Sequence, residues 1–140
     1  MRMAKVIAER SKDPSTQVGA VVVDQNNVVL GLGYNGLPRG IDNEALTWER
    51  EGDFLNTKYA YVCHAEENAI YNANGPTRGG TIFSTLFPCN ECAKTLIQNG
   101  IIEVVYEDDK YHDSDVFIAS RRLLDAAKIT YREYKSNWLK

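Results

Sequence analysis

Histidine occurs twice and cysteine three times in this chain of 140 residues, so any chemistry that depends on them sits in very few places. Three cysteines is an odd number, and a chain of this size buries a core without covalent staples, so a disulfide framework is not expected. Long apolar runs are missing as well. No stretch reaches the roughly 18 to 20 apolar residues of a membrane span. Met1 to Ala8, with Arg2 and Lys5 interspersed, lacks the continuous apolar segment of a secretory signal. These absences argue against a membrane partner and for a cytoplasmic location. A basic surplus is also lacking: 16 Lys and Arg against 19 Asp and Glu leave a net charge of −3. Gripping a phosphodiester backbone needs clustered cations, so no nucleic-acid partner is expected and a small substrate is favoured. What remains, 44% hydrophobic and 25% charged residues without biased tracts, describes one ordinary globular domain over 1–140.

Helical spacing of Met3, Val6 and Ile7 predicts an opening helix that ends near Ser11, before the Asp13-Pro14 break. Two β-branched apolar runs, Gln17 to Val23 and Val28 to Tyr34, joined at Gln25, Asn26 and Asn27, read as a hairpin in a sheet covered on both faces. The stretch from Asn35 to Val62, with Gly36, Pro38, Gly40 and Gly52, is expected to hold one short helix near Glu44 to Arg50. Loops of this length in a compact domain are usually functional or disordered, and this one leads straight into His64, which favours function. Helices are then expected at Glu66–Asn74, Asn90–Gln98 and Val116–Ala127, and strands at Thr81–Thr85, Ile101–Tyr106 and Ile129–Tyr134. Strands alternating with helices after a hairpin imply an α/β fold, a three-layer α/β/α sandwich around a mixed sheet of about five strands. The tail after Tyr134, with Trp138 and Leu139, either docks on a neighbouring subunit or frays.

Two short motifs concentrate the rare residues: His64-Ala65-Glu66 and Pro88-Cys89-Asn90-Glu91-Cys92. One imidazole and two thiolates make three ligands for Zn2+, one ion per chain, and leave the fourth tetrahedral position open for water. Cys89 and Cys92, three residues apart at a helix start, share a face, and the positive helix end favours their thiolates. Glu66, two residues past His64, is placed to handle the protons of that water. Cys63 or His112 as a fourth ligand would make the site structural instead. Cys63, adjacent to the ligand His64, reads better as a buried small hydrophobe.

His-x-Glu followed by Pro-Cys-x-x-Cys is the signature of zinc-dependent nucleobase deaminases. The resemblance extends further, through Ser11 to Ala20, Gly33 to Gly40, Tyr61 to Glu66, Leu86 to Lys94 and Asp109 to Asp115, all of which look like the deoxycytidylate (dCMP) deaminases. The resemblance implies a cytidine-deaminase-like fold and hydrolysis of dCMP to dUMP and ammonia, which feeds dTMP synthesis. It implies that Glu66 carries protons between the water, N3 of the base and the departing amine. Asn35 then matches the residue that binds the sugar 3′-hydroxyl, while the backbone at Ala65 and Phe87 holds the base. The loop Lys110, Tyr111 and His112 is the expected phosphate-selecting segment, with Arg39, Lys12 and Lys58 as further donors. The resemblance also implies a homo-hexamer activated by dCTP with Mg2+ and inhibited by dTTP, with Gly36, Arg39, Glu67 and Asn68 around the regulatory nucleotide. Deaminases acting on tRNA or single-stranded DNA share the two motifs, while those of nucleosides, guanine or pterins are chemically adjacent and differ in the Asn35 turn and the Lys110 loop. The acidic balance disfavours the polynucleotide group.

Overall fold

The computed structural model describes residues 1–136, so Trp138 and Leu139 of the tail lie outside the described residues. Its elements run α1 (Arg2–Ala8), β1 (Gly19–Val23), β2 (Val29–Tyr34), two single 3₁₀ turns (Phe54–Asn56 and Lys58–Ala60), α2 (Ala65–Tyr71), β3 (Thr81–Leu86), α3 (Asn90–Gln98), β4 (Glu103–Asp108), α4 (Asp115–Ala126) and β5 (Thr130–Glu133). The strands form one sheet in the order β2-β1-β3-β4-β5. β1 is antiparallel to β2 and β3, whereas β3, β4 and β5 are parallel, with α3 and α4 as their crossovers. This is the expected mixed sheet of five strands.

Alternation along the strands decides the layers. Ala20, Val22, Ile82 and Val104 face α2, α3 and α4, and pack with Ala69, Leu96 and Leu124 in the larger core. Leu96 and Leu124 are fully buried, each contributing about 1.5–3 kcal/mol through apolar area removed from water. Val21, Val23 and Phe83 point the other way, where Ala4 of α1 covers them. β1 is therefore buried along its whole length, as its composition indicates, while β2 at the sheet edge leaves Val29 exposed.

The helix layer sits unusually close to β2, and the reason is glycine. A Cβ on Gly33 would stand 2.3 Å from both the Ala65 carbonyl oxygen and the Ala69 nitrogen, and one on Gly31 would stand 2.4 Å from the Ala69 oxygen. Only a bare α-carbon lets the start of α2 press onto the strand.

The short helix expected at Glu44 to Arg50 is absent; the segment is a chain of turns. Side chains there satisfy the backbone locally: Asp42 accepts from the Glu44 N–H, Thr47 from the Glu49 N–H, and Trp48 donates to the Asn43 carbonyl. Such bonds compete with the helical ladder and win over so short a stretch. Boundaries elsewhere move by one to three residues. Strand β1 starts at Gly19 and not at Gln17, because the Val18 N–H donates to the Asn35 side chain instead of to a strand.

Candidate active site

The strand directions bring five segments to one edge of the sheet. The start of β1 and the ends of β2, β3 and β4 meet there, joined by the loop that leads into α2. Together they enclose a cleft of about 370 Å³.

On its floor, His64 Nδ1 lies 3.3 Å from Cys89 Sγ and 3.3 Å from Cys92 Sγ. Ligand bonds of 2.0–2.3 Å in a tetrahedron put nitrogen and sulfur ~3.5 Å apart, so these three atoms already stand at the corners a zinc ion requires. Among the described residues, His64, Cys89 and Cys92 are the one group of His, Cys, Asp and Glu side chains that could hold a metal. Cys63 and His112 are not in it. Cys63 is half-buried rather than buried, and His112 bonds within its own loop and to Asp113.

Local structure holds each ligand. Cys89 caps α3 and its sulfur accepts the Cys92 N–H at 3.5 Å. His64 caps α2, and its own N–H donates to Glu67 Oε1 at 2.8 Å. The ion-free charge state follows from these contacts. Cys89 is pulled down to about 4, chiefly by hydrogen bonding from the Cys92 thiol, with His64 assisting. His64 is pushed up to about 9 by its bond to Cys89, against the effect of burial. Cys92 is raised, first by that same contact with Cys89 and then by burial. These shifts favour a thiolate on Cys89, an imidazolium on His64 and a thiol on Cys92 at neutral pH.

Glu66 is 4% exposed, with Oε2 3.5 Å from Cys92 Sγ and Oε1 2.9 Å from the Ser84 hydroxyl. Burial raises its pKa, partly offset by the His64 charge. A carboxyl held ready to take up a proton beside a metal position is the arrangement of a general acid–base group.

The walls sort the remaining expectations. Asn35, Ala65, Phe87 and Tyr111 all line the cleft. Ala65 is the first residue of α2, so its N–H has no intrahelical partner. Phe87 is 1% exposed and packs edge-on against Tyr106 and Tyr131 beneath the Arg121 guanidinium, 3.9 Å from the ring centre. Lys110, His112, Lys12 and Arg39 are not among the lining residues. Lys110 faces Asp108 and Arg39 donates to Asn72. Lys58 does line the cleft, but in a buried ion pair with Asp13 at 2.6 Å.

Arg50 and Tyr59 were not anticipated as lining residues. Arg50 lies in the segment misread as helix, with Nε 3.5 Å from the Tyr59 hydroxyl, and no carboxylate within ion-pair distance among the described residues. The signal for Tyr59 was the tyrosine-rich run Lys58-Tyr59-Ala60-Tyr61 just before His64, whereas nothing in the sequence marked Arg50. Of the expected regulatory residues, Gly36 pairs with Cys63, Glu67 accepts the His64 N–H, Asn68 donates to the Tyr34 carbonyl, and Arg39 donates to Asn72.

No helix among the described residues is long and apolar enough to cross a membrane. The chain matches the cytidine and deoxycytidylate deaminase zinc-binding region over residues 1–108. Deoxycytidylate deaminase of Pongo abelii is 51% identical over 136 residues, covering 96% of this chain and 76% of that protein. Its counterpart in Homo sapiens is 50% identical with the same coverage of each, 96% and 76%. Among solved structures, dCMP deaminase from the cyanophage S-TIM5 in complex with dCMP and dUMP matches at 26% identity and a TM-score of 0.77, over 95% of this chain and 92% of that one.

Proposed function

The chain belongs to the cytidine and deoxycytidylate deaminase family and is a deaminase, and from that premise we propose that it hydrolyses dCMP to dUMP and ammonia. One observation carries the reading. In a chain half identical to deoxycytidylate deaminases, a three-ligand floor with a buried carboxyl lies in the same cleft as an unpaired arginine.

The donor set of one imidazole and two thiolates fits zinc, which when bound supplies an acidified water at neutral pH. Glu66 accepts a proton from the attacking water and delivers it to N3 of the base, which makes C4 electrophilic. After oxygen adds at C4, Glu66 carries the second proton to the exocyclic nitrogen, and ammonia leaves. Water thus provides the oxygen and both protons, and no redox partner is needed. Ser84 holds the carboxyl from behind. The Ala65 N–H and the backbone at Phe87 orient the base, and the Phe87 ring stack excludes water. Arg50, with the Tyr59 and Tyr111 hydroxyls, takes the monophosphate, since it alone among the lining cations has no ionic partner among the described residues.

For regulation, we take dCTP with Mg2+ as activator and dTTP as inhibitor, bound near Gly36, Arg39, Glu67 and Asn68 in a homo-hexamer. Support lies in the contacts: a ligand displacing Glu67 disturbs a metal-ligating residue through a single hydrogen bond. Turnover of dCMP with and without dCTP and dTTP, alongside the mass in solution, tests this part.

An activity panel of dCMP, CMP, deoxycytidine, dCTP and a cytosine-containing oligonucleotide, read by ammonia release together with bound zinc, tests the main reading. Preference for dCMP and one zinc per chain are expected. Preference for deoxycytidine or the oligonucleotide overturns it.

A further inference from the structure

One wall of the cleft carries a buried ion pair that the chemistry above does not use. Asp13 and Lys58, with 1% and 8% of their side chains exposed, meet at 2.6 Å although 45 residues separate them. The Asp13 carboxylate is fully subscribed. Its Oδ1 accepts from the Ser15 N–H, the Ser15 hydroxyl and the Thr16 N–H, and its Oδ2 accepts from Lys58 and lies 3.4 Å from Asn35 Nδ2.

Lys58 is not. An ammonium has three N–H donors, and this one gives two, to Asp13 Oδ2 and to Ser15 Oγ at 2.9 Å. Asn35 is the complement. Its amide donates to the Thr16 carbonyl at 2.9 Å and faces Asp13, while its Oδ1 accepts from the Val18 N–H at 2.8 Å. Both amide protons are committed, and one Oδ1 lone pair remains. Lys58 and Asn35 are 6% and 7% exposed, and both line the cleft. Lys58 and Asn35 therefore offer one donor and one acceptor side by side on this wall, tied together through one carboxylate oxygen.

A hydroxyl is the group that satisfies both, since it accepts one hydrogen bond and donates another. A deoxynucleoside monophosphate has one sugar hydroxyl, the 3′. We propose that Lys58 is a specificity-determining residue that donates to the oxygen of this hydroxyl, whose own proton goes to Asn35 Oδ1. The assignment rests on the dCMP reading. Asp13 neutralises the ammonium, so this wall selects a neutral hydroxyl while Arg50 selects the anion. A pair that merely stapled two loops would gain little over apolar residues of the same volume. It would also leave turnover indifferent to the substrate's hydroxyl.

The test compares kcat/KM for dCMP and for 2′,3′-dideoxycytidine monophosphate in the wild type, Lys58→Met and Lys58→Arg. The wild type is expected to prefer dCMP by about ten- to a hundredfold, the size of one charge-assisted hydrogen bond. In Lys58→Met the preference should fall to a few-fold, mainly through a higher KM for dCMP, with zinc content unchanged. Lys58→Arg keeps the charge against Asp13 but moves the third donor, so it should lose preference while holding its melting temperature even if Lys58→Met does not fold. Equal use of both nucleotides by the wild type, or full preference retained in the variants, overturns the assignment. If the panel instead favours another cytosine compound, the dCMP reading fails, and the same comparison made with and without the hydroxyl on that compound still decides the role of Lys58.

Discussion

The floor of the cleft and the wall that carries the Asp13–Lys58 pair are built in opposite ways. The floor comes from two short motifs, each at the start of a helix, and its charge state is set to change when an ion arrives. The wall comes from Asp13, Asn35 and Lys58 on separate loops, and its charges already cancel. One end is local in sequence and poised for chemistry, while the other is assembled over long range and fixed for recognition.

Breaking the floor at its proton carrier should have the largest effect. Glu66→Gln is expected to keep zinc and lower kcat by about 10²–10⁴, the usual contribution of a general acid–base group. Near-normal turnover would remove Glu66 from the chemistry. Breaking the wall acts on stability instead: Asp13→Asn leaves the Lys58 ammonium buried without its counter-ion, which costs about 3–5 kcal/mol, measurable by denaturant unfolding.

That cost depends on pH in a defined direction. Burial alone would raise the Asp13 carboxyl, but the Lys58 hydrogen bond and those from Ser15 and Thr16 outweigh it and lower it below its ordinary value of 3.8. A depressed carboxylate contributes fully above that value and loses its contribution as pH falls through the folded-state pKa. The gap between wild type and Asp13→Asn should be constant at neutral pH and close only below 3.8. A gap that already narrows between pH 7 and pH 5 would contradict the pairing.

Gly33→Ala probes how the floor is aimed. The new methyl would meet backbone at 2.3 Å, so the start of α2 must shift. A loss of about 1–3 kcal/mol is expected, with zinc affinity falling alongside because His64 opens that helix. Stability lost without any change in zinc affinity would show that the helix start tolerates the shift. The smallest signal is a proton count. Binding zinc requires a neutral imidazole and two thiolates, whereas His64 at about 9 and the raised Cys92 both hold protons at neutral pH. Loading should release about two protons per ion at neutral pH, and affinity should climb with pH, less steeply above about 9 where only the raised Cys92 still holds its proton. Calorimetry in buffers of different ionisation heat reads this, and release of none would refute the assigned charge state.

Legibility followed the same division. His-x-Glu and Cys-x-x-Cys were readable because a helix turn fixes which side chains share a face, so spacing alone implies convergence. The strands were readable from their β-branched runs and the α3 helix from its Asn99-Gly100 stop. The Asn35 to Val62 segment was not: side-chain bonds to the backbone replaced the expected helix, and Arg50 was hidden inside it. Lys58 appeared only as one of several loose cations, since nothing within ten residues of it announces Asp13.

The sequence by itself determined the layer architecture, the family and which three side chains could share a metal beside a carboxyl, because each depends on short-range periodicity or on motifs that a single helix start presents. Only the tertiary structure decided which cations are free and which are spent, since that is a question of distance between segments. Lys110 went to Asp108, Arg39 to Asn72 and Lys58 to Asp13, leaving Arg50 at the cleft beside Tyr59 with no carboxylate partner among the described residues. A charge acquires its role from the partner that reaches it first, and chain order does not encode which partner that is.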